Sequence, residues 1–512
     1  MRTVQKLFVI LGDQLDRDRF LPSDFDPATD SFWMAEAVEE STHVLSNKHR
    51  IVQFLSAMRH FQEYINQREL PIIYHKLDRE NQPSSLGEIL RLDIDQLQIK
   101  AVSIVKPGDY RMESSLRKVC QETVTELDVR QDEHFLSSIE EFQEFAEGRK
   151  ELRLEHFYRY MRKKHFILMD DEKSPTGGKW NFDHSNRQSF GKKGPDFVEL
   201  DRGTDPDSIT REVISMVNHE FPTHPGDLDS FRWPVTTEEA ESELSNFLQH
   251  ALPLFGKYQD AMWTGRYTLF HSLLAPALNL KLLDARKTIL AVQGEYFEGR
   301  ASIESVEGFI RQVLGWREYV RGLYFKWMPD YRERNFLNAH NPLPHSFWTG
   351  KTEMNCLSQC LNQVLDTGYG HHIQRLMVVG LYGLLRGTVP SEINDWFLAN
   401  YADAVDWVTT PNVIGMSQYA DGGIMASKPY VATGAYISRM SNYCKGCRFN
   451  PKESTGPSAC PFTTLYWKFL IQHQSTLQGN RRMSMQLRNL TRLSESQKAA
   501  IKHEADMVLE RE

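Results

Sequence analysis

The chain is short of cysteine, with six in 512 residues, which is too few for a disulfide framework. It has no apolar run long enough to span a bilayer and no signal peptide, so a reducing cytoplasmic setting is expected. There is no G-x-G-x-x-G, which argues against a dinucleotide ligand, and no internal repeat or low-complexity tract. An excess of positive charge is missing too. The formal net charge of -8 excludes a chain that coats nucleic acid over its whole surface, but it permits a local basic face. Hydrophobic residues at 40% and charged residues at 25% are ordinary for a globular protein, and the length allows two or three domains.

What cysteine there is lies unevenly. Cys444-Lys-Gly-Cys447 is followed by Cys460-Pro461, with Cys356 and Cys360 upstream. Such a concentration reads as a four-thiolate metal site, the fourth ligand being Cys356 or Cys360. Structural zinc usually takes two short knuckles. Uneven spacing with proline after the last cysteine recurs in iron–sulfur proteins. Core thiols are the plainer alternative. Ten Trp and 19 Tyr serve either large cores or aromatic walls around a planar cofactor.

In chain order, residues 4–12 (VQKLFVILG) read as a buried strand ending in a loop, Asp13-Gln14-Leu15. Helical spacing over 48–68, a strand at 71–74, part of a helix at 86–92 and a strand at 101–105 predict a parallel, doubly wound sheet. Such sheets bind ligands beyond the carboxyl ends of their strands. We place an α/β domain at 1–135, a linker with a long loop at 136–236, and a helical domain at 237–512. Helices are predicted at 238–252, 305–327, 356–365, 371–385 and 392–401. Within them, Gly315-Trp316-Arg317-Glu318 reads equally as a salt-bridged turn. His371 and His372 cannot share one face if both are helical. One surface and one core histidine is the plain reading, a pocket proton donor the sharper one. Asp403 and Asn412 supply polar groups in irregular stretches, where ligand contacts are common.

Several segments together resemble the bacterial iron–sulfur branch of the photolyase–cryptochrome superfamily. They are LGDQL, FLSAMRHF, GGKWNFDHSNRQ, EGFIRQVLGWREYVRG, FWTGKTEMNC, GHHIQRLM, YADAVDWV, PNVIGMSQYADGG and the cysteine-rich end, and the resemblance covers nearly the whole chain. It implies a Rossmann-like antenna domain followed by an all-helical domain that binds FAD. The implied antenna pigment is 6,7-dimethyl-8-ribityllumazine, held near Gly12, Asp13, Gln14 and Glu36. FAD contacts are implied for Tyr258, His271, Ser272, Leu273, Trp316, Arg317, Arg375, Asp403 and Asn412. A [4Fe–4S] cluster is implied on Cys356, Cys444, Cys447 and Cys460, with Cys360 the spare thiol.

The implied activity is light-driven reversal of (6-4) photoproducts in UV-damaged DNA by a cytoplasmic monomer, with magnesium at the lesion site left open. In that reading His372 is the proton donor with His371 beside it, and Tyr430 is a lesion-pocket aromatic. Trp396 and Trp348 carry electrons. Arg187, Arg162 and Lys163 meet DNA, while basic runs such as 481–488 also read as solvated faces. The rivals are a cryptochrome-like photoreceptor without repair activity and a light-independent iron–sulfur DNA-binding protein.

Overall fold

The computed structural model describes residues 4–149, 151–196 and 202–511. Five parallel strands, β1 (Lys6–Val9), β2 (Asp30–Ala35), β3 (Ile72–His75), β4 (Ala101–Val105) and β5 (Glu126–Arg130), form one sheet in the order β3-β2-β1-β4-β5. Lys6 of β1 pairs with Asp30 on one side and Ala101 on the other. Helices Lys48–Asn66, Leu86–Leu97 and Tyr110–Glu122 make the crossovers. Each starts on a polar cap: Asn47 accepts from the His49 amide, Ser85 from that of Glu88, and Asp109 from those of Arg111 and Met112.

Residues 6–9 and 101–105 follow the expectation. β2 and β5 do not appear in it, for physical reasons. The apolar centre of β2 is four residues long behind Asp30 and Ser31. β5 is an edge strand whose polar positions pair sideways, Ser103 donating to Asp128 at 2.9 Å and Arg130 to the same carboxylate at 2.9 Å.

The two sheet faces differ. Leu7, Val9 and Trp33 pack with Leu90, Ile94, Leu116 and Cys120 in a small core of their own. Burial pushes the Cys120 thiol up to about 11, as suits a small buried hydrophobe. Phe8, Phe32 and Met34 instead join one core that continues through the helical region. Polar ties reinforce that continuity. Asn47 donates from its backbone to Ala399 O at 2.7 Å and from its side chain to Leu365 O at 2.9 Å, and Lys281 meets Asp132 at 2.8 Å.

The helical region contains a feature that periodicity does not reveal. The run expected at 305–327 is Ile303–Ile310, a π-helical stretch Arg311–Arg317, then Glu318–Trp327. The run expected at 371–385 is a turn His372–Gln374, a π-helix Arg375–Gly380, then Leu381–Arg386. A third π-helix, Pro411–Ser417, follows Asp406–Thr410, and a fourth, Phe247–Ala251, interrupts the run expected at 238–252. π-helical turns insert an extra residue and concentrate at functional sites.

Two of these π-helices touch where Gly380 faces Ser417. A methyl on Gly380 would overlap Ser417 Oγ and stand 2.8 Å from Arg375 O. Gly380→Ala is therefore predicted to cost about 1–3 kcal/mol, read as a lowered thermal midpoint, and Ser417→Gly in the same chain is predicted to recover part of the loss.

Candidate functional site

Three of these π-helices, Arg311–Arg317, Arg375–Gly380 and Pro411–Ser417, wall a cavity of about 810 Å³. Arg317 and Trp316 reach it from the first, Arg375 from the second, and Asn412 from the third; His271, Ser272 and Leu273 reach it from the preceding loop. Tyr258 does not line it. Its ring stacks between Phe190 at 4.5 Å and Phe270 at 5.7 Å, so the contact implied for Tyr258 is corrected to a supporting aromatic stack.

The histidines are not consecutive helical residues. His371 is extended, with ψ 163°, and precedes the helix that His372 begins. Both imidazoles border the cavity, His371 from a buried position and His372 from an exposed one. His371 is buried and stacks on His271, with centroids 4.3 Å apart and planes 14° apart. Both His371 ring nitrogens and His271 Nε2 lack protein partners. Burial first, then neighbouring charges, push His371 well below the usual imidazole range and His271 down to about 3. His372 is exposed at the cavity, and the crowding protein walls together with the Arg375 guanidinium push it down to about 4. The trio is neutral at neutral pH, which is what permits two imidazoles to stack.

Arg375 stays charged. Burial opposes its charge, but Asp403 lies 2.9 Å away and the guanidinium sits 3.9 Å from the Tyr401 ring centroid, so its pKa is raised. Arg317 packs over Phe135 at 4.1 Å and Trp407 at 5.1 Å, with Nε unpartnered, and burial pulls it down to about 10. Idle buried donors and acceptors call for a polar partner. Those of His371, His271 and Arg317, facing aromatic and apolar walls, fit a large planar heteroaromatic cofactor with polar edges and an anionic part.

At the rim of the cavity stand Trp180, Asp183, Arg187, Asp260, Tyr430, Arg159 and Arg482. Arg187 is exposed and paired with Asp183. Burial raises Asp260 to about 6, with Asp183 adding to the rise against Arg187. Arg162 is not a surface cation. It is buried and donates to the carbonyls of Ile167 at 3.2 Å, Trp180 at 3.1 Å and Leu168. The DNA contact implied for Arg162 is therefore corrected to a staple of the loop that carries Trp180. Lys163 is exposed, its Nζ 5.6 Å from the Trp180 ring centroid.

Trp396 is fully buried and donates to Phe347 O at 3.0 Å. It lies 5.5 Å from the ring of Phe397 and 5.9 Å from that of Tyr401, both of which line the cavity. Phe347, 5.2 Å away, leads to the half-buried Trp348. Sequence reasoning missed Tyr401, because its nearness to Trp396 depends on how the chain leaves the helix Pro390–Asn400.

All six cysteines are free thiols. Burial, then Cys460, Cys444, Cys360 and Cys447 in turn, push the Cys356 thiol up. Cys444 is raised to about 11 by burial with Cys460 beside it. The four candidate ligands therefore lie within electrostatic reach of one another. Among the described residues no three His, Cys, Asp or Glu side chains converge closely enough to hold a single ion. A set of four neighbouring thiols is a donor chemistry that both tetrahedral zinc and iron–sulfur clusters use. Cys360 points elsewhere, toward Tyr443, whose phenol lowers its otherwise burial-raised pKa, leaving it at about 12.

A second candidate site lies where the strand order reverses, between the carboxyl ends of β1 and β4. Gly12, Asp13 and Gln14 follow β1. Gln14 Nε2 donates across to Val105 O at 3.2 Å. Asp13, pushed up to about 6 by burial, with Asp132 and Asp109 adding to the rise against Lys281, faces the same crevice. The Glu36 carboxylate is saturated, accepting from Arg59 at 2.7 and 3.0 Å, Tyr74 at 2.8 Å and the Leu77 amide at 2.9 Å. It braces the end of β2.

No helix among the described residues is long and apolar enough to cross a membrane. Residues 8–233 match the family model for deoxyribodipyrimidine photo-lyase-related proteins. A (6-4) photolyase of Agrobacterium fabrum is 42% identical over 498 residues, covering 96% of each chain. A bacterial class III photolyase crystal structure from Agrobacterium tumefaciens superposes with a TM-score of 0.59 at 13% identity, over 93% of this chain and 98% of that one. A Synechocystis cryptochrome superposes with a TM-score of 0.55 at 14% identity, over 88% and 91%. These two share the fold, a parallel sheet followed by a helical region, and with a relative so similar over almost the full length, the chain belongs to the bacterial (6-4) photolyase family of the photolyase–cryptochrome superfamily.

Proposed function

We propose that the protein repairs pyrimidine (6-4) pyrimidone photoproducts in DNA, using light and reduced FAD held in the large cavity. The observation that carries this reading is the His371–His372 pair at a cavity with a basic, aromatic rim, in a chain 42% identical to a (6-4) photolyase. FAD held there in its reduced form would supply an electron to the lesion on excitation and take it back after the bases separate. Arg375, held by Asp403, would balance negative charge on a ring system bound in the cavity. Trp316, Arg317, His271, Ser272, Leu273 and Asn412 complete the walls. The remaining requirement is a proton moved between the two bases, and His372 is the group placed for it. An imidazole held near 4 in the unliganded cavity is a poor donor at pH 7. Bringing in phosphates and an anionic ring raises its pKa, so binding itself arms the acid.

DNA enters over the rim. Arg187, Arg159, Arg482 and the exposed Lys163 meet phosphates, Tyr430 and Trp180 flank the flipped lesion, and a damaged pair is the cheapest to open. Asp183 and Asp260 would offer carboxylates to a magnesium ion that keeps several waters, in competition with the Arg187 and Arg311 pairs of Asp183. Cys356, Cys444, Cys447 and Cys460 hold a [4Fe–4S] cluster, and the crevice by Gly12, Asp13 and Gln14, braced by Glu36, holds 6,7-dimethyl-8-ribityllumazine. Trp348 and Trp396 would pass electrons from the surface inward to the bound cofactor. The protein works as a cytoplasmic monomer that joins the nucleoid at damage.

Blue-light repair of a (6-4) oligonucleotide tests the reading. His372→Ala is predicted to lose about 10²-fold or more of repair while keeping FAD, and parent activity is predicted to fall as pH rises through the His372 pKa of the loaded complex. A reduced, FAD-loaded parent that repairs nothing would favour the photoreceptor reading instead.

Trp396→Phe is predicted to slow photoreduction strongly with FAD absorbance intact; unchanged photoreduction would reject the assigned path. Cys444→Ser is predicted to lose folded protein and the broad cluster absorption together, and a soluble, FAD-loaded, cluster-free variant would count against a structural role.

A further inference from the structure

A smaller cavity of about 250 Å³ opens between the segment 335–341, the end of the helix Leu381–Arg386, and the helices Pro461–Gln472 and Glu495–Glu510. Three charged side chains line it: Arg386, Lys468 and Asp506. Arg386 is 5% exposed, yet Nε and Nη1 of its guanidinium have no hydrogen-bond partner. Beside it Thr388, 1% exposed, has an equally idle hydroxyl. Lys468 is half-buried, and neither cation forms an ion pair with a carboxylate among the described residues. Asp506 faces the cavity from an exposed position on the last helix. Burial lowers the Lys468 pKa and Arg386 lowers it further, with Asp506 offsetting them in part. His473, its ring tilted against that of Phe469 with centroids 4.6 Å apart, is pushed down to about 4 by burial and Lys468, so it is neutral at pH 7 and adds no charge.

Two cations against one carboxylate leave the lining with a surplus of one positive charge. A buried guanidinium with idle donors is costly unless an acceptor fills them. The acceptor must offer several oxygens in different directions, because the Arg386 fork, the Lys468 ammonium and the Thr388 hydroxyl come from separate elements. A tetrahedral oxoanion does so, and a guanidinium fork recognises it well. The depth of Arg386 and the small volume exclude a duplex backbone and leave room for a compact group.

We propose that this cavity binds a phosphate-class oxoanion, either inorganic phosphate or the phosphoryl group of a small monoester, through Arg386, Lys468 and Thr388. Occupancy ties the C-terminal helix Glu495–Glu510, through the cavity it closes, to the end of the helix Leu381–Arg386. The site is separate from the lesion cavity and does not depend on the repair reading.

The test is calorimetric titration of full-length, FAD-loaded protein with sodium phosphate against sodium chloride at matched ionic strength, paired with thermal midpoints. The expected result is saturable binding of one phosphate per chain and a raised midpoint. Arg386→Met is expected to weaken binding roughly ten-fold or more, with Thr388→Val and Lys468→Gln weakening it less. Competition by adenosine monophosphate would assign a monoester, and its absence would assign the free anion. The proposal is overturned if phosphate acts no differently from chloride on the parent, or if the variants bind it like the parent. Should Arg386→Met fail to fold, Thr388→Val and Lys468→Gln decide by the same measurement.

Discussion

A pair of buried amides fixes the geometry on which the large cavity depends. Gln363 and Gln374 exchange hydrogen bonds at 2.8 and 3.2 Å. Gln374 Oε1 also accepts from the His371 amide at 3.0 Å, and its Nε2 donates to Tyr443 Oη at 3.1 Å. Gln363 Nε2 reaches Tyr369 O at 3.2 Å. All of this is buried, where a satisfied network is stiff and a broken one expensive. The consequence is local and chemical. The chain is held extended at His371 and helical from His372, so at the cavity wall the first imidazole is buried against His271 while the second stands exposed.

The same network explains why thiols so far from His372 in sequence matter to it. Gln363 lies on the helix Asn355–Thr367, which carries Cys356 and Cys360. Tyr443 immediately precedes Cys444. Anything that fastens Cys356 to Cys444 and Cys447 therefore fastens the two outer supports of the amide pair. Buried thiols with raised pKa values and other thiols nearby have little to gain from staying empty, since a metal that takes them as thiolates removes both the repulsion and the protons. In the proposed holoprotein the cluster clamps the histidine segment without touching the lesion.

Much of this was legible in the sequence, and what was not has identifiable causes. Apolar runs buried on both faces marked β1 and β4, and helical spacing marked most of the long helices. β2 and β5 escaped because one is short and the other pairs polar groups at an edge. The π-helices escaped because an inserted residue preserves helical spacing on either side while shifting the face between. That shift is what brings Trp316, Arg317, Arg375 and Asn412 to one cavity. Arg162 was misread because its charge pattern matches that of its exposed neighbours, and only three-dimensional placement shows it donating to three backbone carbonyls. Tyr258 was displaced by a stack that involves the loop at Phe190. No local signal distinguished Arg386 from a surface arginine at a helix end.

Electron supply, in the proposed scheme, poses a constraint that the aromatic geometry meets. The indole N–H of Trp396 is bonded to a backbone carbonyl in a fully dry setting. An oxidised indole there has no base able to take its proton, since a peptide carbonyl is far too weak. Oxidised Trp396 must therefore be refilled by another electron donor rather than settle as a neutral radical. Trp348, half-buried and next to Phe347, meets water and can lose a proton once oxidised. Tyr401 lies nearer the cavity but under the Arg375 guanidinium. A cation 3.9 Å from its ring centroid opposes creating a second positive charge on the phenol. In that scheme the Arg375 cation would disfavour a hole on Tyr401 and leave Trp396 as the outward step.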